Sequence, residues 1–213
     1  MSAPQSDARR TRADAQQNRA KIIAVAIEHF RAHGAGASLD AIAREAGVGA
    51  GTLYRHFPQR DDLVAAVLQT REVVLQQEIE RIDAMADADD ALQSWLSVLD
   101  EYLASFDGLA DPLGRALMGA DSALAISCDW LIRTTQRCLH AAQAAGQARS
   151  DLSARDLFLL ALAASGVSRS AVADPGSLLA VRAVIRDGIR AVAMASGQAA
   201  LAASGGTPAE GSN

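Results

Sequence analysis

Residues 38–57 read SLDAIAREAGVGAGTLYRHF, and this stretch decides the fold. Ser38 is placed to N-cap a helix that turns Leu39, Ile42, Ala43 and Ala46 toward a core. Gly47 stops that helix, because the left-handed position ending many helices tolerates glycine best. Val48 anchors the turn, and a second helix follows from about Ala50 to Phe57. Pro58 closes it, since the residue before a proline is pushed out of the α region. Two short helices around a glycine turn make a helix-turn-helix, whose second helix fits the DNA major groove.

The side chains of that second helix sharpen the reading. Leu53 and Phe57 sit four apart and supply an inward face. Thr52, Tyr54, Arg55 and His56 are left in a segment with little room to bury them. The plain alternative is a solvated helix surface. Working outward, Ile22, Ile23, Ala26, Ile27 and Phe30 repeat at helical spacing, so a scaffold helix is predicted over about Asp14–His33, ended by Gly34 and Gly36. His29 and His33 read as surface or cap residues. Residues 1–13 form a polar arm with Arg9, Arg10 and Arg12. Such an arm either enters a minor groove or is a plain disordered tail.

The chain is 213 residues long and carries a net charge of −5. Residues 1–60 hold nine Lys or Arg against five Asp or Glu, a net of +4, and residues 61–213 hold eleven against twenty, a net of −9. A basic N-terminal segment beside an acidic remainder suits an N-terminal polyanion-binding module. Half of the residues are hydrophobic and only 4% are aromatic. Alanine and leucine dominate, so helix is the default throughout. No apolar run is long enough for a transmembrane helix, and the polar N-terminus lacks a secretory h-region. A cytoplasmic location is expected.

Beyond the motif, one long helix is predicted from about Gln59 to Met85, with acids in its first turn where the helix dipole favours them. Further helices are expected near Asp90–Phe106, Leu113–Met118, Ser122–Gln147, Ser153–Ala173 and Gly176–Ala195, with a disordered tail at 197–213. The organisation is therefore an arm (1–13), a helix-turn-helix domain (14–62), a second helical domain (63–196) and the tail. Cys128 and Cys138 share one helix about 15 Å apart along its axis, too far for a disulfide. Buried reduced thiols are expected, with no metal, because Cys138 and His140 fall on roughly opposite faces. P-loop, Rossmann glycine, HExxH and nucleophile-elbow patterns are missing from the sequence, which argues against a small helical enzyme. No cofactor is expected.

Residues 22–68, IIAVAIEHFRAHGAGASLDAIAREAGVGAGTLYRHFPQRDDLVAAVL, lie within a segment (15–68) that resembles the N-terminal DNA-binding domain of the TetR family of bacterial transcriptional regulators. The string GTLYRHFPQRDDL, Gly51 to Leu63, is its most specific part. The resemblance implies an all-α, homodimeric, ligand-responsive repressor on a palindromic operator. It also implies that Tyr54 and His56 match positions that commonly touch the DNA backbone. The residues themselves nominate Lys21, Ser38, Thr52, Tyr54, His56 and Arg60 for phosphate, since hydroxyls, cations and helix N-terminal amides suit phosphate oxygens. Arg55 is open to base or phosphate, and Gly49, Ala50, Gly51 and Thr52 begin the recognition helix. Gly49 and Ala50 depart from the family's frequent serine and lysine, so no operator is carried over from relatives.

The second domain offers an effector pocket and a dimer face. Apolar bulk nominates Trp95, Leu99, Tyr102, Phe106, Leu117, Met118, Cys128, Trp130, Leu131 and Thr134 for the pocket, although core packing explains the same residues. A small-molecule effector would be partly apolar, with Arg115, Arg133 and His140 as possible polar anchors. Small residues recur at helical spacing on the last two helices: Ala161, Ala164, Ser165 and Ser168, then Val181, Val184, Gly188 and Ala191. Such faces let helices approach closely, either across a two-fold axis or within the chain. A DNA-binding dimer without any effector remains a competing reading.

Overall fold

The structure is a computed structural model, and it describes residues 4–119, 123–168 and 174–191. The proposed tail at 197–213 lies outside the described residues. Among the described residues ten helices follow one another: α1 Pro4–His33, α2 Leu39–Glu45, α3 Ala50–His56, α4 Arg60–Gln69, α5 Glu72–Asp83, α6 Ala88–Leu103, α7 Ala110–Met118, α8 Ala123–Ala144, α9 Ala154–Ser168 and α10 Pro175–Ile189. Among the described residues the fold is all-α, with one isolated bridge between Ala148 and Arg190. Among the described residues no helix is long and apolar enough to cross a membrane.

Helices α6, α8 and α10 end at Leu103, Ala144 and Ile189, earlier than expected, and three other boundaries differ from the sequence reading for evident reasons. First, α1 begins at Pro4 rather than near Asp14, so most of the supposed arm continues the helix. Alanine, arginine and glutamine favour helix there, and proline is tolerated at the first helical position. Second, the expected helix from Gln59 to Met85 is two helices, broken at Thr70–Arg71. The Thr70 hydroxyl donates to the Val67 carbonyl at 2.6 Å. The Thr70 and Arg71 amides reach back three residues, to Val67 and Leu68, instead of four. Tightened turns of this kind redirect a helix axis. Third, α7 starts at Ala110, earlier than expected, because Pro112 occupies its first turn, where no amide donor is needed.

The N-terminal unit is α1 to α3 with the start of α4. Ile22, Ala26 and Phe30 of α1, Ile42 of α2, Leu53 and Phe57 around α3 and Leu63 of α4 are buried together. In the second unit α6, α8 and α9 pack on one another, and α4 lies against α8. Trp95 of α6 is fully buried there, its indole N–H donating to Thr135 Oγ1 at 2.9 Å. Thr135 passes its own hydroxyl proton to the Leu131 carbonyl, so the polar atoms of this contact are satisfied. Helix α6 is capped by Asp87, whose side chain accepts from the Asp90 amide at 2.9 Å and from the Gln147 side chain at 2.8 Å.

The units meet at a clasp. The Phe30 and Phe106 rings stand edge-on, 6.0 Å apart. The Ala35 amide donates to the Asp107 carbonyl at 2.7 Å. Gly34 has φ 73°, and a Cβ there would lie 2.8 Å from that carbonyl oxygen, so both conformation and space demand glycine. Arg115 of α7 pairs with Asp61 of α4 at 3.2 Å, and Arg71 hydrogen-bonds Ser105.

Candidate nucleic-acid interface

Helix α2 starts as its sequence dictates. Ser38 is extended, and its Oγ accepts from the Ala41 amide at 3.3 Å. The helix stops at Ala46, after which Gly47 adopts φ 68°. The Val48 amide then bonds the Ala43 carbonyl at 3.0 Å and the Gly47 amide bonds that of Arg44 at 3.2 Å. This double closure fixes the angle at which α3 leaves. Gly49 caps α3 without a side chain, Leu53 and Phe57 are buried, and the Phe57 amide ends the helix on the Leu53 carbonyl.

What α3 leaves outside is the candidate interface. Gly49, Ala50, Gly51 and Arg55 are exposed, Tyr54 is 47% exposed, and Thr52 and His56 are half-buried. Lys21 and Ser38 are exposed as well. The Ser38 oxygen serves as a cap acceptor, which leaves its hydroxyl proton available to another acceptor. Arg60 is the exception among the nominated contacts. Its Nη1 donates to the Ala35 carbonyl at 2.9 Å and the Ala37 carbonyl at 2.6 Å. Through Nη1 it ties down the loop ahead of α2.

Sequence reasoning missed Arg19, whose guanidinium lies 5.2 Å from the Phe57 ring centroid. Its position was readable: Arg19 precedes Ile22, Ala26 and Phe30 on the inward stripe of α1, so its stem runs over the core and its charge reaches the end of α3. His29, read as a surface or cap residue, bridges α1 to α2 through a 2.8 Å contact with Glu45.

A family model for "Bacterial regulatory proteins, tetR family" matches residues 22–67, and one for "Transcriptional regulator SbtR-like, C-terminal domain" matches residues 87–191. A solved TetR transcriptional regulator from Streptomyces coelicolor is 30% identical, with a TM-score of 0.52, covering 82% of this chain and 99% of that one. The chain belongs to the TetR family. Curated relatives match this TetR-family chain over part of its length. The regulator SrpR of Pseudomonas putida is 46% identical over 66 residues, 30% of this chain and 31% of that protein. TtgW of the same species, itself uncharacterised, is 46% identical over 66 residues, which is 49% of its length. The chain thus spans about a third to a half of the curated relatives it matches. The fold is shared with FadR of Bacillus subtilis, solved in complex with stearoyl-CoA, at 21% identity and a TM-score of 0.54, covering 79% of this chain and 98% of that one.

The interior of the second unit departs from the expected pocket. Trp95, Leu99, Tyr102, Phe106, Cys128, Leu131 and Thr134 are buried in the packed core. Leu117 and Trp130 are half-buried, and Met118 is 88% exposed. None of the ten lines the cavity of about 710 Å³ that opens between α6, α9 and α10. Around them α6 and α8 close on each other through the Trp95–Thr135 contact. Tyr102 instead reaches a separate groove of about 420 Å³ between α5 and α6. Arg133 pairs with Asp129, and His140 is exposed. Both cysteines are free and buried. Burial pushes the Cys128 thiol up to about 12 and raises Cys138 as well.

The expected dimer face divides in two. Ala161 and Ala164 turn inward to the cavity, and Ser165 is buried with its hydroxyl on the Leu162 carbonyl. Helix α10 lies over that side of α9 and is held to α6 by Arg182 on Asp100 and Arg190 on Asp89. On α10 the other row faces out: Val184 is 72% exposed, Val181 and Gly188 are exposed, and Ala191 beyond the helix is half-buried. Leu159 and Ala163 form an exposed row on α9. The Ser168 side chain is outside the described residues.

Proposed function

We propose that this TetR-family chain is a DNA-binding transcriptional regulator that acts as a homodimer on a palindromic operator and, as a repressor, is released from it by a small-molecule effector in the cytoplasm. The observation that carries the reading is the exposure of Tyr54, Arg55 and the glycine-rich start of α3 on a helix whose Leu53 and Phe57 are locked in the core. Lys21, Ser38, Thr52 and His56 grip phosphates beside it, and Arg55 reads a base edge or a phosphate. Two such helices must meet successive major grooves, roughly 34–36 Å apart. The outward rows of α9 and α10 are the surface on which a second copy would hold them at that spacing. An effector weakens binding by preferring a dimer with a different spacing; coupling of roughly 1–3 kcal/mol is typical of such switches.

A second reading, a DNA-binding dimer without an effector, is favoured by the filled interior between α6 and α8 and disfavoured by the cavity beside α10. The test is selection from random duplex DNA with the purified protein, followed by sequencing. A recovered palindrome with half-sites about one helical turn apart supports the dimeric regulator. Failure to enrich any sequence at low salt, with folded dimer present and metabolite extract added, sinks it.

A further inference from the structure

Helix α1 runs well beyond the core that it helps to build. From Arg12 to Lys21 no residue is buried, and Ile22 opens the core stripe. Its direction says where those outer turns lie. The C-terminal end is held against the second unit, Phe30 on Phe106 and the adjoining Ala35 on Asp107. Back along the helix His29 reaches α2 at Glu45, and Arg19 then reaches Phe57 at the end of α3. From Arg19 to Pro4 the helix rises roughly 22 Å more, past α3 and away from the second unit.

This outer part of α1 is basic. Residues 4–21 hold five Lys or Arg against two Asp, 5 − 2 = +3. Arg12 and Arg19 are both exposed. Seven residues apart, they share one face to within about 20° and stand roughly 10 Å apart along the axis. Arg19 marks that face as the α3 side, so Arg12 continues it outward. A ring contact leaves the guanidinium donors of Arg19 for other acceptors. Gln16, Gln17 and Asn18 lie between the two arginines, where a helix that enters a lipid surface needs large apolar side chains. The partner that fits is a polyanion lying against α3. Width then decides how the two meet. A helix about 10–12 Å across does not enter a minor groove about 6 Å wide, and the neighbouring major groove is the place of α3. Only the phosphate backbone remains.

We propose that the outer turns of α1 form a second DNA contact, Arg12 and Arg19 lying on backbone phosphates beside the groove that α3 occupies. The contact adds affinity without sequence choice. The assignment deepens the DNA-binding reading above and rests on it.

The test uses the full chain and two duplexes, the selected one and a scrambled one, with anisotropy titrations over a range of salt. Arg12→Gln should lower the salt slope on both by about one per protomer bound. The double variant Arg12→Gln with Arg19→Gln should lower it by about two and weaken both duplexes by a like factor, about tenfold at moderate salt. The preference for the selected duplex should stay as it was. Arg12→Lys should keep the slope, because a phosphate accepts either cation. Arg31→Gln, on the same helix near the second unit, should change the slope little, which separates a contact from diffuse charge. Arg12 lies outside the core, so Arg12→Gln keeps the test decisive if loss of Arg19 from Phe57 disturbs α3. An unchanged slope in Arg12→Gln, an equal drop in Arg31→Gln, or a changed preference between the duplexes would each overturn the proposal. A parent chain that binds neither duplex at low salt sinks the DNA-binding reading itself, and this contact with it.

Discussion

Tyr54 and Arg55 protrude from α3 and contribute little to its packing, so Tyr54→Ala and Arg55→Ala are expected to weaken duplex binding about tenfold or more while leaving the melting temperature unchanged. Anisotropy titrations at several salt concentrations check this, and loss of a phosphate contact should reduce the salt slope by about one. Arg60→Ala should behave in the opposite way. It leaves the Ala35 and Ala37 carbonyls short of a charged donor, a loss of ~1–3 kcal/mol in stability seen by denaturant melts. A normal melt with weakened DNA binding would return Arg60 to the phosphate contacts. The thiols give a third expectation. With Cys128 at about 12, its thiolate fraction at pH 8 is about one part in ten thousand, so the native protein should resist Ellman's reagent and yield both thiols only when unfolded. Residues of α3 were legible in the sequence because alternation of buried and exposed positions within one short helix decides them. The tether that Arg60 makes was not, since its partners lie 23 and 25 residues back along the chain, where no local pattern reaches. The residues nominated for a pocket meet a related limit: composition cannot separate a filled core from a lined cavity.

Helix ends show the same division between local and distant causes. Ser38, Gly47 and Pro58 mark boundaries by their own conformational preferences, and those boundaries of the helix-turn-helix fall where the sequence puts them. The break at Thr70 has no such marker, because Gln59 to Met85 contains neither glycine nor proline. A threonine hydroxyl turning back on the preceding turn is a tertiary choice that propensity does not reveal. Capping also sets a pH response. Asp87 accepts from the Asp90 amide and the Gln147 side chain, which hold its carboxyl below the ordinary range. A depressed folded value means that this contribution is full above the unfolded value near 4 and is lost as pH falls through the folded one. Asp87→Asn keeps an N-cap acceptor without the titration. Its melting temperature should therefore fall less than that of the parent between about pH 5 and pH 3, as calorimetry would show. Equal acid slopes would assign the loss to other carboxylates.

Across the whole molecule, the DNA-binding and C-terminal units meet at the clasp of Phe30 on Phe106, Ala35 on Asp107 and Arg115 on Asp61. Gly34→Ala tests it. The added Cβ would strike backbone at 2.8 Å in a conformation that side chains avoid, so stability should drop by more than ~1 kcal/mol. A melt that separates into two transitions would mean that the clasp welds the units; a single, lower transition would mean that α4 alone suffices. The clasp also bears on how such chains can be recombined. A hybrid sensor that joined residues 1–58 of this chain to a foreign second unit would carry Gly34 and Ala35 without the matching bend at Phe106 and Asp107. Transplants that carry both halves of that handshake should keep the two units seated on each other, and the length of the α6–α7 corner is the dimension an engineer would have to match first.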